Sequence, residues 1–373
     1  MKDHKQPLQK QLPLIDNYFE HLTATLDWLL VSIEKGKGGS SAYFSPLLGW
    51  GSPYPETSGY IITTLLDASQ LLNKEKYYNA ACKVGEWLLK LQSQEGWWPG
   101  GLYKEGKCAG PSIFNTGQII DGMCALAIKT KSEAYRKAAL KGANWLKDGV
   151  DKQGVWHAGN YMKGVNPSYY SQVAWPMLMA WKLGGNDEIK KAAVLVLQRI
   201  LKRRTEKGLI KGWGFDPKAP SFTHTIAYTL RGMLESAIIL EDWDTYGSPC
   251  ELALERLARK SELTNGRLPG AYRDDWRPIN WYTCLTGNVQ IALCLLRLDS
   301  LNPDLRLVNS SVKLIDRVSK TQRLKGSLGV KGAVAGSQPI FGKYMFMRYP
   351  NWAAKYHADA IISLIKRLSK EIA

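Results

Sequence analysis

Two kinds of hydrophobic pattern alternate along the chain. In YFEHLTATLDWLLVSIEK (from Tyr18), KYYNAACKVGEWLLKLQ (from Lys76), EAYRKAALKGANWLKDGV (from Glu133), DEIKKAAVLVLQRILKRR (from Asp187), CELALERLARKSE (from Cys250) and LRLVNSSVKLIDRVSK (from Leu305), apolar and charged positions recur at helical spacing. Each reads as a helix with one buried and one wet face. Between them stand YPETSGYIITTLLDAS (from Tyr54), FNTGQIIDGMCALA (from Phe114), YYSQVAWPMLMAW (from Tyr169), FTHTIAYTLRGMLES (from Phe222), WYTCLTGNVQIALCLL (from Trp281) and YPNWAAKYHADAIISLI (from Tyr349). These open on an aromatic and a few polar residues, then run into helices that are apolar nearly all round, as buried helices are. Their starts are 60, 55, 53, 59 and 68 residues apart, so the chain holds six copies of a two-helix unit. The pattern predicts an all-α protein, a single (α/α)6 toroid over residues 1–373, with the apolar helices as an inner ring and the amphipathic ones outside.

Each amphipathic helix is followed by a loop rich in glycine and aromatics, such as SQEGWWPGGLYKEGKCAGPS or KQGVWHAGNYMKGVNPS, and each loop leads into an inner helix. All six loops therefore fall at one end of the toroid. Loops of this length in a compact domain usually carry function, so that end is the expected active face. The stretch PSIFNTGQIIDG (Pro111 to Gly122) sets Asn115, Gln118 and Asp121 three residues apart on an otherwise apolar helix. Buried polar groups need partners or a wet cavity, and a helix that starts at the mouth supplies one. Asn115 and Gln118 are expected to line it; Asp121, one turn deeper, reads equally as a carboxylate bonded to its neighbours.

The formal net charge of +17 points to a polyanionic partner, whether acidic glycan, nucleic acid or anionic membrane surface, or else to a generally basic exterior. Trp50, Trp97, Trp98, Trp156, Trp213, Trp276 and Trp281 fall in or beside the mouth loops. Aromatic faces stack on sugar rings, which favours a glycan; Trp97 and Trp213, beside glycines, are expected instead to plug their loops onto the barrel. There is no phosphate loop, dinucleotide fingerprint or zinc signature, so no cofactor or metal is expected and nucleic-acid binding would rest on charge alone. The opening MKDHKQPLQKQLPLIDNYFEHL lacks an apolar core of signal-peptide length and no run approaches eighteen apolar residues, which predicts a cytoplasmic protein without a transmembrane segment. Cys82, Cys108, Cys124, Cys250, Cys284 and Cys294 form no CxxC and read as reduced, packed thiols.

Chemistry is concentrated in SFTHTIAYTLRG, where His224, Tyr228 and Arg231 share one helical stripe at i, i+4 and i+7. Removing the C5 proton of a uronic acid needs a base, an acid and donors that neutralise the carboxylate. His224 and Tyr228 could be base and acid, with Asn115, Gln118 and Arg231 or Arg273 holding the carboxylate. His357, beside Tyr356 and near Asp359, is a second histidine on an inner helix; His157 is a weaker, more exposed one. Tyr170, Trp98, Trp156, Trp276 and Trp281 are candidate sugar contacts. Hydrolysis would need two carboxylates, for which Glu56, Asp121, Asp216, Asp274 and Asp359 are candidates, Glu56 first, although its place at a helix start also suits a dipole partner.

WLLKLQSQEGWWPGG (Trp87 to Gly101) resembles the repeated tryptophan-and-glutamine motif of terpenoid cyclases, in which an outer helix ends in Gln-x-x-(Asp/Glu)-Gly-x-Trp. The alternation resembles both those toroids and the (α/α)6 barrels of carbohydrate-active enzymes, including polysaccharide lyases, unsaturated glucuronyl hydrolases and the helical domain of glucuronyl C5-epimerases. The acidic motifs of terpene chemistry are missing: the only Asp-Asp is Asp274-Asp275, with no third carboxylate in place, and no zinc set matches that of the prenyltransferases. The carbohydrate resemblance implies a cofactor-independent enzyme acting on an acidic poly- or oligosaccharide by lyase, epimerase or hydrolase chemistry. The alternative is a non-catalytic glycan-binding or polysaccharide-assembly protein.

Overall fold

Twelve long helices follow one another in the computed structural model, which describes residues 6–107 and 109–372; residues 1–5, Cys108 and Ala373 lie outside the described residues. The outer set is α1 (Gln6–Lys35), α3 (Glu75–Leu91), α5 (Glu133–Gly149), α7 (Asp187–Leu201), α10 (Ser248–Leu263) and α12 (Leu305–Ser319). The inner set is α2 (Pro55–Leu72), α4 (Ile113–Thr130), α6 (Ser171–Lys182), α8 (Thr223–Leu240), α11 (Leu285–Leu301) and α13 (Asn351–Ile372), with a single-turn helix α9 (Trp243–Tyr246) before α10. Each inner helix packs on the next, and α13 returns onto α2 to close the ring. The architecture is the all-α (α/α)6 toroid that the alternation predicts.

The inner helices approach closely because glycines stand where they meet. A Cβ on Gly122 of α4 would lie 2.2 Å from the Gly59 carbonyl oxygen of α2, and one on Gly232 of α8 would lie 2.4 Å from the Ser171 carbonyl carbon of α6. At the far end the turns are short: Asn73, Lys131 and Glu241 adopt left-handed conformations that stop α2, α4 and α8.

At the mouth, three small sheets lace the long loops together. Strands β1 (Tyr43–Ser45) and β2 (Gly49–Trp50) form a hairpin in the first loop, and β8 (Tyr349–Pro350) of the last loop pairs with β1. In the fourth and fifth loops β3 (Ser221–Phe222), β4 (Ala271–Tyr272) and β5 (Pro278–Ile279) run antiparallel, while β6 (Thr283–Cys284) pairs with β7 (Ser337–Gln338). The glutamine-tryptophan motif is a clamp between units: Gln92 Nε2 donates to the carbonyls of Gly96 and Ala138, both at 2.9 Å, and Trp98 Nε1 to that of Leu88. The five described cysteines are free thiols, four of them buried. No helix among the described residues is long and apolar enough to cross a membrane.

Candidate active site

The first turns of the inner helices converge on a cavity of about 420 Å³ at the mouth. Glu56 enters from the second position of α2, Asn115 from the third of α4 and His224 from the second of α8, while Tyr60 and Tyr228 stand one turn deeper. Tyr169, Phe215, Tyr344 and Trp352 complete an aromatic wall, with Tyr161 at its edge. Among the described residues that line it, Glu56 is the only carboxylate, and there is no lysine or arginine.

Burial pushes the Glu56 carboxyl up to about 7, although a hydrogen bond from Tyr54 pulls it back. A helix N-terminus favours an anion by about 0.3–1 kcal/mol, whereas a rise of this size corresponds to roughly 3 kcal/mol, so desolvation outweighs the dipole. His224 Nδ1 lies 2.8 Å from Gln290 Oε1 of α11. An amide oxygen only accepts, so Nδ1 carries the proton and Nε2 keeps its lone pair. Burial lowers this imidazole to about 4, which leaves it neutral at physiological pH. Its ring sits 4.2 Å from that of Tyr228, whose phenol burial holds protonated.

Tyr60, Tyr228 and Tyr356 form the floor, with Tyr356 centred 5.6 Å from Tyr60 and 5.9 Å from Tyr228. Beneath lies a second space of about 150 Å³ lined by Gln118, Asp121, Gln172, Arg231, Lys355 and Asp359. Lys355 pairs there with Asp359, which also accepts a 2.6 Å hydrogen bond from Thr64. Arg231 lies over Trp175 and 3.9 Å from Glu235. Burial pushes Asp121 up to about 6 against the pull of Lys355 and Arg231.

Of the residues singled out in the sequence, the cavity unites Glu56, Asn115, His224 and Tyr228 and leaves the others elsewhere. Arg231, seven residues beyond His224, is about 10 Å further along the helix and so below the floor. Gln118 also faces the lower space, where Nε2 donates to the Gln172 carbonyl at 2.6 Å. His357 turns outward: its nitrogens lie 3.1 Å from Thr25 and 2.9 Å from Ser319, on α1 and α12. Arg273 is exposed on its loop, and His157 meets Asp151 in solvent. Trp98 and Trp156 are buried plugs whose indoles donate to the carbonyls of Leu88 and Leu146, the task expected of Trp97 and Trp213; Trp213 is buried likewise, but Trp97 is only half-buried. Tyr170 packs on Trp156 and donates to Asn160. Trp276 packs edge-on against Trp213 and donates to Lys207, and half-exposed Trp281 lies on Tyr282; neither lines the cavity. Sequence reading missed Gln290, Tyr344 and Tyr54. Gln290 was within reach, as another polar residue in an apolar inner helix; the two tyrosines come from loops, where no periodicity marks direction.

No protein-family model matches the sequence, and no curated protein is significantly similar to it. Solved structures do share its fold. An unsaturated glucuronyl hydrolase specific for heparin superposes with a TM-score of 0.76 at 13% identity, over 95% of this chain and 98% of that one. Cellobiose 2-epimerase from Spirochaeta thermophila gives a TM-score of 0.76 at 13% identity over 100% of both chains, and unsaturated glucuronyl hydrolase from Bacillus sp. GL1 gives 0.70 at 15% over 95% and 97%.

Proposed function

We propose that the protein is a carbohydrate-active enzyme in which Glu56 as acid and His224 as base move protons on one sugar residue held in the mouth cavity. The observation that carries this reading is the pairing of a carboxyl raised to about 7 with a neutral imidazole lowered to about 4 in one aromatic-walled space. At mildly acidic to neutral pH the acid holds its proton and the base is free, the arrangement that proton transfer on and off a ring carbon requires. Two-carboxylate glycoside hydrolysis is disfavoured: Asp216 and Asp274 are exposed on loops, and Asp121 and Asp359 lie below the tyrosine floor. Epimerisation fits the acid and base directly. Hydrolysis would fit in the form where the acid protonates an unsaturated sugar and water adds, so hydrolase and epimerase neighbours are both compatible with the site.

The acidity of the substrate is read at the rim in this proposal, because the cavity wall holds no cation. Lys163, two residues from Tyr161, and Lys218, three residues from Phe215, are exposed in the third and fourth loops, and the exposed Tyr161 ring, 5.9 Å from Phe215, is free to stack on a sugar. The experiment is incubation with neutral and uronic-acid oligosaccharides in deuterium oxide. Deuterium at a ring carbon reports epimerisation, and loss of the absorbance of an unsaturated uronide reports hydrolysis. Binding of such glycans without either signal would leave the non-catalytic reading standing.

A further inference from the structure

The segments 36–54 and 320–350, which meet where the ring closes, contain seven lysines and arginines and no aspartate or glutamate. Lys37, Lys320, Arg323, Lys325, Lys331 and Lys343 are exposed, and Arg348 lies over the Tyr43 ring at 4.7 Å. Among the described residues none of the seven makes an ion pair. Large apolar side chains stand out among these charges. Leu47 and Leu48, at the tip of the β1–β2 hairpin, are 74% and 77% exposed, with Leu328 at 64% and Phe346 at 58%.

These residues belong to one sector. Gly329 packs directly on the Phe44 ring of β1, which brings its neighbour Leu328 to the hairpin, and Phe44 pairs with Tyr349, three residues after Phe346. Trp50 packs 5.3 Å from both Trp28 and Phe44, tilted on the first and edge-on to the second, and Trp28 Nε1 donates to the Gly329 carbonyl at 2.9 Å, so the apolar tips stand on a packed base. An acidic polymer would satisfy the cations and leave the leucines in water. Aliphatic tips offer a sugar no ring to stack on, whereas apolar side chains ringed by cations suit the boundary between anionic headgroups and acyl chains.

We propose that this sector docks the protein onto an anionic bilayer surface, with the cations over the headgroups and Leu47, Leu48, Leu328 and Phe346 in the acyl boundary. Tyr344 and Met345 line the cavity immediately before Phe346, so docking sets the mouth beside the bilayer. This inference stands on the loops alone and does not depend on the chemistry proposed for the cavity.

Co-sedimentation of the full chain with vesicles of phosphatidylglycerol and phosphatidylcholine, at about 150 mM salt, tests it. Binding is expected to be at least about tenfold weaker to phosphatidylcholine alone, since each cation near an anionic surface is worth about 1 kcal/mol. The double variant Leu47→Asp, Leu48→Asp should lose about tenfold with its melting temperature unchanged, because both side chains are already in solvent. The matching Leu301→Asp, Leu305→Asp variant at the opposite end, also at exposed positions, should bind as the parent does. Equal binding to neutral vesicles, or undiminished binding by the Leu47/Leu48 variant, would overturn the proposal. So would retention by a soluble polyanion such as heparin without sedimentation on vesicles, which would assign the cations to an acidic polymer.

Discussion

His224 Nδ1 and Gln290 Oε1, 2.8 Å apart across the contact between α8 and α11, decide which nitrogen of the imidazole is free. The proton is committed to Nδ1, and Nε2 keeps the lone pair that the proposed base role needs. With the base working only when neutral and Glu56 only when protonated, turnover is expected to rise as pH increases through about 4 and to fall as it passes about 7. In Gln290→Glu a carboxylate replaces the amide and favours the imidazolium, so the acid limb should move up by about 1–2 units while the alkaline limb stays. A pH–rate profile of parent and variant checks this; an unmoved acid limb would remove His224 from the base role.

Glu56 also carries a stability signature that does not depend on substrate. Its folded pKa of about 7 stands above the ordinary glutamate value of 4.5, so the folded state holds the proton more tightly than the unfolded one. Its contribution is intact below about pH 4.5 and is lost as pH rises through about 7. Glu56→Gln should therefore gain roughly 2–3 kcal/mol over the parent at pH 8 and almost nothing at pH 4, while losing turnover at both. Denaturant midpoints at the two pH values are the measurement.

Lys355 and Asp359 are paired beneath the floor with side chains 4% and 11% exposed. Lys355→Met would leave the part-buried Asp359 carboxylate with the Thr64 hydrogen bond and the charge of Arg231 to hold it, and breaking a largely buried pair in this way costs about 3 kcal/mol. Sugar affinity measured well below the melting point should change little, since neither residue lines the upper cavity.

Trp98 separates packing from recognition. It is fully buried against Gly142, where a Cβ would stand 2.7 Å from its ring. Trp98→Ala is expected to cost about 3–5 kcal/mol. At a temperature where the variant remains folded, KM should be unaltered; a large rise in KM with normal stability would return Trp98 to the sugar-contacting set.

The fold was legible because the two helix classes differ in something a sequence displays directly, one wet face or none. Glu56, Asn115 and His224 were legible for a related reason, as polar side chains in the first turns of helices that have no other use for them, and Tyr228 followed as the residue one turn deeper on the stripe of His224. Depth along the axis was harder to read. The stripe linking His224, Tyr228 and Arg231 is real, but nothing in its spacing marks the level at which three tyrosines from α2, α8 and α13 close the axis, so Arg231 and Gln118 were placed one compartment too high. The tryptophans misled because an indole that plugs a loop and one that stacks on a sugar look alike in composition. The glycine beside it did not decide the matter either: Trp98 is the plug, while Trp97, next to Gly96, is not.

The tyrosine floor also governs traffic. A toroid open along its axis could let a polymer pass through, but Tyr60, Tyr228 and Tyr356 turn the mouth cavity into a blind well. Whatever enters must leave by the same opening, and a long glycan can insert only an end. With the chemistry proposed for this cavity, such a site would act on chain termini and release its product by retreat, so its output from a polymer would be altered ends rather than a ladder of internal fragments.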